Sequence, residues 1–127
     1  MLGVEHQVDV AVPVTAAYKL CTRFEDFPRF MEGVEEVRHV DDTHLHWRVR
    51  LDDGVGEWDA ELVEVRPEER IAWRAMDGGL YAGVVTFLRL EDGMTRVTMS
   101  AEVDDNLAPL ARRVPGDLQR FKRLLES

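Results

Sequence analysis

A chain of 127 residues with 45% apolar content is long enough for one folded domain, residues 1–127, with a core, and too apolar for a disordered segment. A net charge of −9 argues against nucleic acid as a partner, and the apolar runs are too short for a membrane span. No secretory signal is visible at the N-terminus, and the lone Cys21, read as a small buried apolar residue, fits a reducing cytoplasm.

Val4, His6, Val8, Val10 and Val12 alternate with Glu5, Gln7, Asp9 and Ala11, the period of a strand with one buried face. Pro13 ends it. Ala17, Leu20, Cys21 and Phe24 then recur with the spacing of one helical face. The stretch 24–34 holds three of the five phenylalanines, too much apolar bulk for a solvated loop. Pro28 breaks any long helix there. The spacing predicts a helix ending near Phe24 and a short second one near 27–31, capped by Asp26 and stopped at Gly33.

After Gly33 the texture changes to strands. The first covers 34–40. Leu45, Trp47, Val49 and Leu51 alternate with His46, Arg48 and Arg50, and Trp58, Ala60 and Leu62 with Glu57, Asp59 and Glu61. Ile71, Trp73 and Ala75 follow, then the mostly apolar 81–90, whose facing the pattern leaves open. Val97, Met99, Ala101 and Val103 alternate last. Turns are expected at 41–42, 52–54, 66–69, 77–79 and 91–93, so six successive strands form an antiparallel meander. Arginines on one outward row and carboxylates on the next support this register.

The C-terminal segment resumes helical spacing: Leu107, Ala111, Val114, Leu118, Phe121 and Leu125 form one apolar stripe. Asn106 suits the N-cap and Pro109 the first turn. Pro115-Gly116 predicts a bend or interruption, because Pro115 cannot bond to the carbonyl of Ala111. Residues 107–127 carry five basic and two acidic groups, a net of +3, which leaves −12 for the remainder. A solvated face is the simpler reading of those cations; a contact surface for an acidic partner or anionic head groups is the sharper one.

These elements give an α+β fold: a seven-stranded curved antiparallel sheet, two short helices after the first strand, and a long C-terminal helix across the apolar face. The first strand is expected beside the last. The oligomeric state is open, a homodimer included.

The runs Val12-Pro13-Val14-Thr15-Ala16-Ala17-Tyr18 and Phe24-Glu25-Asp26-Phe27-Pro28-Arg29-Phe30-Met31-Glu32-Gly33-Val34 resemble the polyketide cyclase/dehydrase group of the START-like (SRPBCC) superfamily. So do Glu57-Trp58-Asp59-Ala60-Glu61, Arg70-Ile71-Ala72-Trp73-Arg74, Gly83-Val84-Val85-Thr86-Phe87 and Asp117-Leu118-Gln119-Arg120-Phe121-Lys122. The resemblance covers essentially the whole chain, and its motifs are framework residues that specify fold better than chemistry. It implies a helix-grip fold whose cavity receives polyketides, lipids or quinones. The chain departs from the family pattern between the last strand and Asp117, which is short and contains Pro115.

No catalytic motif, phosphate loop, cofactor or metal pattern stands out. His44 and His46 share a face expected to be exposed and lack a third ligand. The inward polar candidates are His6, Tyr81 and Arg89, none of which the sequence promotes to a catalyst. The aromatic set is more informative. Trp47, Trp58 and Trp73 fall on one inward row, with Phe87 and Phe121 facing them and Phe27 and Phe30 as a gate. The residues expected to contact a ligand are Phe27, Phe30, Trp47, Trp58, Trp73, Tyr81, Phe87, Leu118, Phe121 and Leu125. Three readings compete: a non-catalytic binder of a hydrophobic small molecule, a polyketide aromatase/cyclase or dehydratase, and a protein-interaction module with a collapsed cavity. A cavity too small for several carbons would favour the last.

Overall fold

A computed structural model describes residues 2–76 and 81–127. Seven strands form one antiparallel sheet: β1 (Leu2–Val10), β2 (Val34–Asp41), β3 (His44–Leu51), β4 (Gly54–Arg66), β5 (Arg70–Ala75), β6 (Tyr81–Arg89) and β7 (Thr95–Val103). Their order is β1-β7-β6-β5-β4-β3-β2, so the first strand does pair with the last, from Leu2 opposite Val103 to Val10 opposite Thr95. The turn expected at 77–79 lies outside the described residues.

Alternation decides the buried face. Leu45, Trp47 and Val49 point inward from β3, and Tyr81, Gly83, Val85 and Phe87 from β6, which settles the facing the sequence left open. On the outer face Arg48 stands opposite Glu57 in the ladder, but its guanidinium closes on Glu35 at 3.0 Å. His46 is held between Glu57 and Asp59, at 3.0 and 2.8 Å.

The helix α1 (Val14–Cys21) buries Val14, Ala17 and Cys21, and the Pro13 carbonyl accepts from Ala16 and Ala17 at its start. It stops at Cys21, short of the expected Phe24. The second helix is an earlier and tighter element, a 3₁₀ helix over Phe24–Arg29 with Arg23, not Asp26, at its N-cap. Pro28 lacks a donor, and a 3₁₀ turn tolerates that more easily than a longer α-helix. Gly33 does end the corner, at φ 82°, a conformation that favours glycine.

The helix α2 (Ala108–Glu126) runs as one helix through Pro115 and Gly116, so of the bend or interruption expected there the interruption does not occur. Proline removes one backbone hydrogen bond, and the in-phase stripe on either side keeps both halves packed on the core. Its N-cap is Leu107, not Asn106, because a short 3₁₀ turn over Asp105–Leu107 precedes it. Val114, Leu118 and Phe121 are buried, while Leu125 is half-buried near the end of the helix.

The basic groups of α2 mostly tie it down. Lys122 donates to the Asp9 carbonyl at 2.6 Å and meets Glu126 at 2.9 Å, and Glu126 in turn accepts from the Ala11 N–H. Arg113 donates to the carbonyls of Arg50 (2.9 Å) and Glu32 (3.2 Å), and Arg120 to that of Phe30 (3.0 Å).

Candidate functional site

A continuous chain of rings crosses the interior. Phe121 of α2 packs edge-on to Phe30 at 5.1 Å between centroids, and Phe30 to Phe27 at 5.4 Å. Phe27 meets Trp47 at 5.7 Å, and Trp47 stacks on Trp73 at 6.0 Å and 24°. Tyr81 stands edge-on against Trp47, Trp58 and Trp73, at 5.6, 5.8 and 6.3 Å. The close approach of Trp73 to β6 needs Gly83, where a Cβ would collide with the indole.

Beside this chain lies a cavity of about 20 Å³, room for about one water molecule. Val85, Val97 and Met99 of the sheet form its floor, Asp117, Leu118 and Phe121 of α2 one wall, Cys21 of α1 another, and Phe30 and Met31 its roof. Of the ten residues expected to contact a ligand, Phe30, Leu118 and Phe121 line this cavity. Phe27, Trp47, Trp73 and Tyr81 are packed in the neighbouring core, and Trp58 is half-buried at its side. Phe87 is buried against Tyr18 at 5.6 Å, and Leu125 lies toward the end of α2.

The inward polar group is one the sequence reading missed. Asp117 is 4% exposed; its Oδ1 accepts from the Glu32 N–H at 2.9 Å and from Arg120 Nη2 at 2.6 Å. Burial pushes its carboxyl up to about 6, against the pull of these two hydrogen bonds. The signal was present: position 117 is three after Val114 and four before Phe121, so a carboxylate sits inside the apolar stripe. With the carbonyl contacts of Arg113 and Arg120 it forms a clasp that fastens the corner 30–33 to α2, directly over the cavity. Gly33 leaves room for that clasp, since a Cβ there would collide with the Arg113 guanidinium.

The other polar candidates fall elsewhere. His6 stands opposite Met99 in the ladder, but β1 is the sheet edge and the ring is exposed. Arg89 is exposed and pairs with Glu68 at 2.6 Å. Tyr81 is buried, which raises its phenol above the ordinary range, with the Asp117 charge adding to the rise and Trp73 opposing it. Burial also pushes the Cys21 thiol up to about 12, so it is a poor nucleophile. His44 and His46 are half-buried and engaged with carboxylates, and no metal-holding cluster occurs among the described residues.

A curved antiparallel sheet gripping one long C-terminal helix over an internal cavity is the helix-grip architecture of START-like proteins. It matches DR_A0006 of Deinococcus radiodurans at a TM-score of 0.86 and 27% identity, covering 99% of this chain and 98% of that one. The Zhui aromatase/cyclase of Streptomyces sp. R1128 superposes at 0.85 with 15% identity, covering 98% and 93%. A START superfamily protein of Mycobacterium smegmatis does so at 0.79 with 13% identity, covering 94% and 92%. An uncharacterised 17.2 kDa protein of Streptomyces lincolnensis is 41% identical over 136 residues, spanning 99% of this chain and 91% of its own length. Residues 1–126 match the family described as polyketide cyclase / dehydrase and lipid transport, and the chain belongs to it. No helix among the described residues is long and apolar enough to cross a membrane.

Proposed function

We propose that the domain reversibly binds a flat or elongated apolar small molecule between the sheet and α2, without transforming it. The observation that carries this reading is the lining of the space under the corner 30–33, apolar apart from one buried carboxylate, and not its volume. The cavity is too small for a ligand of several carbons, so binding requires the corner to move. Phe24–Arg29 is a 3₁₀ helix, an element of poorer hydrogen-bond geometry, and side-chain contacts from α2 fasten the segment that follows it. Apolar burial at about 25 cal/mol per Å² would repay that opening and still leave micromolar affinity for a ligand of moderate size.

The test is titration with a panel of polycyclic aromatic ketones, quinones and long-chain lipids, read by tryptophan emission and melting temperature. Saturable quenching with a raised melting temperature supports the reading. If no compound in a broad panel changes either signal, the closed cavity is the working state and the domain is an interaction module, the reading that the cavity volume itself favours.

One observation favours an enzyme. The buried Asp117 carboxyl, raised to about 6 in the cavity wall, is suited to proton transfer near neutrality. Aromatase/cyclases share this fold. Turnover of a linear polyketide that Asp117→Asn abolishes, with binding retained, would move the protein to that class.

A further inference from the structure

We infer that the ligand is an anionic amphiphile, an elongated apolar body ending in a carboxylate, and that the groove on the outer side of the corner, at Arg29, Arg50 and Arg120, takes the charged end. The inference rests on the binding reading above and adds to it a second, polar subsite.

The corner has two sides. Phe30 and Met31 roof the apolar cavity, and the same two residues line an open groove of about 550 Å³ on the surface. Arg29, Glu32, Glu35, Arg50 and Arg120 supply the charged groups of that groove. Phe30 and Met31 are thus the partition between an apolar space and a polar one. Displacing the corner joins the two, and a long ligand seated in the cavity would present its outer end to the groove.

The charge of the groove runs against that of the chain. The whole sequence carries −9, while the groove sets three arginines against two carboxylates. Both carboxylates have cations of their own: Glu35 accepts from Arg48 at 3.0 Å, and Glu32 lies 3.7 Å from Arg120. The exposed guanidinium of Arg29 has no partner among the described residues. That of Arg50 reaches Glu35 only at 3.9 Å, too far for a hydrogen bond. A guanidinium fits a carboxylate through two parallel N–H donors, a match that an alcohol does not make and an ammonium opposes. Arg120 connects the groove to the roof, because its Nε donates to the Phe30 carbonyl. A carboxylate beside it competes for that guanidinium and loosens the roof over the cavity.

Decanoate, decanol and decylammonium share one chain and differ in the charge at its end. Each is titrated by calorimetry, at neutral pH, into the wild-type protein and into a double variant, Arg29→Gln with Arg50→Gln. Neither of these side chains takes part in the clasp, so the variant keeps the fold. The expected result is that wild type binds decanoate about tenfold more tightly than decanol, and decylammonium least. The double variant brings decanoate down to decanol and leaves decanol unchanged, and about 1 M salt erodes the preference in wild type. Acetate, the same head without the chain, competes with decanoate only at about hundredfold higher concentration. Competition at equal concentration would make the groove a site for free anions and overturn the amphiphile. Equal affinity for decanoate and decanol, or a preference that survives the double variant, overturns the inference and leaves the binding reading standing. So does a failure of decanoate to bind at all, since the binding reading is judged separately, on the wider panel of aromatic ketones, quinones and lipids.

Discussion

The Glu32 N–H donates to Asp117 Oδ1 across 85 positions of sequence, which makes a buried carboxylate the link between the aromatic corner and α2. Its carboxyl lies near 6 in the fold, against a usual value of 3.8. A folded-state value raised in this way means that the contribution of Asp117 to stability is fully present below pH 3.8 and is lost as pH rises through about 6. Asp117→Asn has no such dependence. Relative to that variant, the wild type should gain about 2 kcal/mol as pH falls from about 7.5 to about 4.5, measured by urea unfolding. A pH-independent difference would show that the carboxylate is not desolvated.

Phe121 is 2% exposed and joins α2 to the corner through Phe30. Phe121→Ala should cost about 3–5 kcal/mol and enlarge the cavity that it lines. A loss below about 1 kcal/mol in a denaturant titration would mean that α2 is not seated here.

Gly83 lies under the Trp73 indole with no room for a methyl group. Gly83→Ala should destabilise by about 1–3 kcal/mol and shift the tryptophan emission spectrum, because the indole must leave its stack on Trp47. An unchanged spectrum with an unchanged melting temperature would contradict this packing.

His46 sits between two carboxylates on the outer face, and the hydrogen bonds its ring donates to Glu57 and then Asp59 raise its pKa above the usual 6.5. Its contribution is therefore complete below pH 6.5 and fades as pH rises through the raised value. His46→Gln should cost more at about pH 6 than at about pH 9, and under about 1 kcal/mol at either, since the carboxylates are exposed. Equal costs at the two pH values would exclude a charged clamp.

The sheet was legible because alternation is a strong signal: Leu45, Trp47 and Val49 could not all be buried in any other register. Pairing of β1 with β7 followed from the architecture, which left the two ends of the chain to meet. Of the bend or interruption expected at Pro115 the interruption does not occur, because local propensity ignores the packing gained on both sides of it. The clasp was not legible, since Arg113 and Arg120 bind backbone carbonyls whose positions depend on the finished fold. Nor was the cavity volume. The same aromatic row can line a pocket or fill it, and here Phe27 fills the space beside the indoles.

The central claim, that a ligand enters between sheet and α2 by displacing the corner, is tested most directly at two methionines. Met31 lies in the cavity roof and Met99 in its floor, while Met76 is 51% exposed and forms no part of its wall. With ¹³C-methyl methionine and a ligand that quenches tryptophan emission, the Met31 and Met99 methyl resonances should move saturably and together while Met76 stays fixed. Saturable quenching with both cavity methyls unmoved would place the ligand elsewhere and contradict the account.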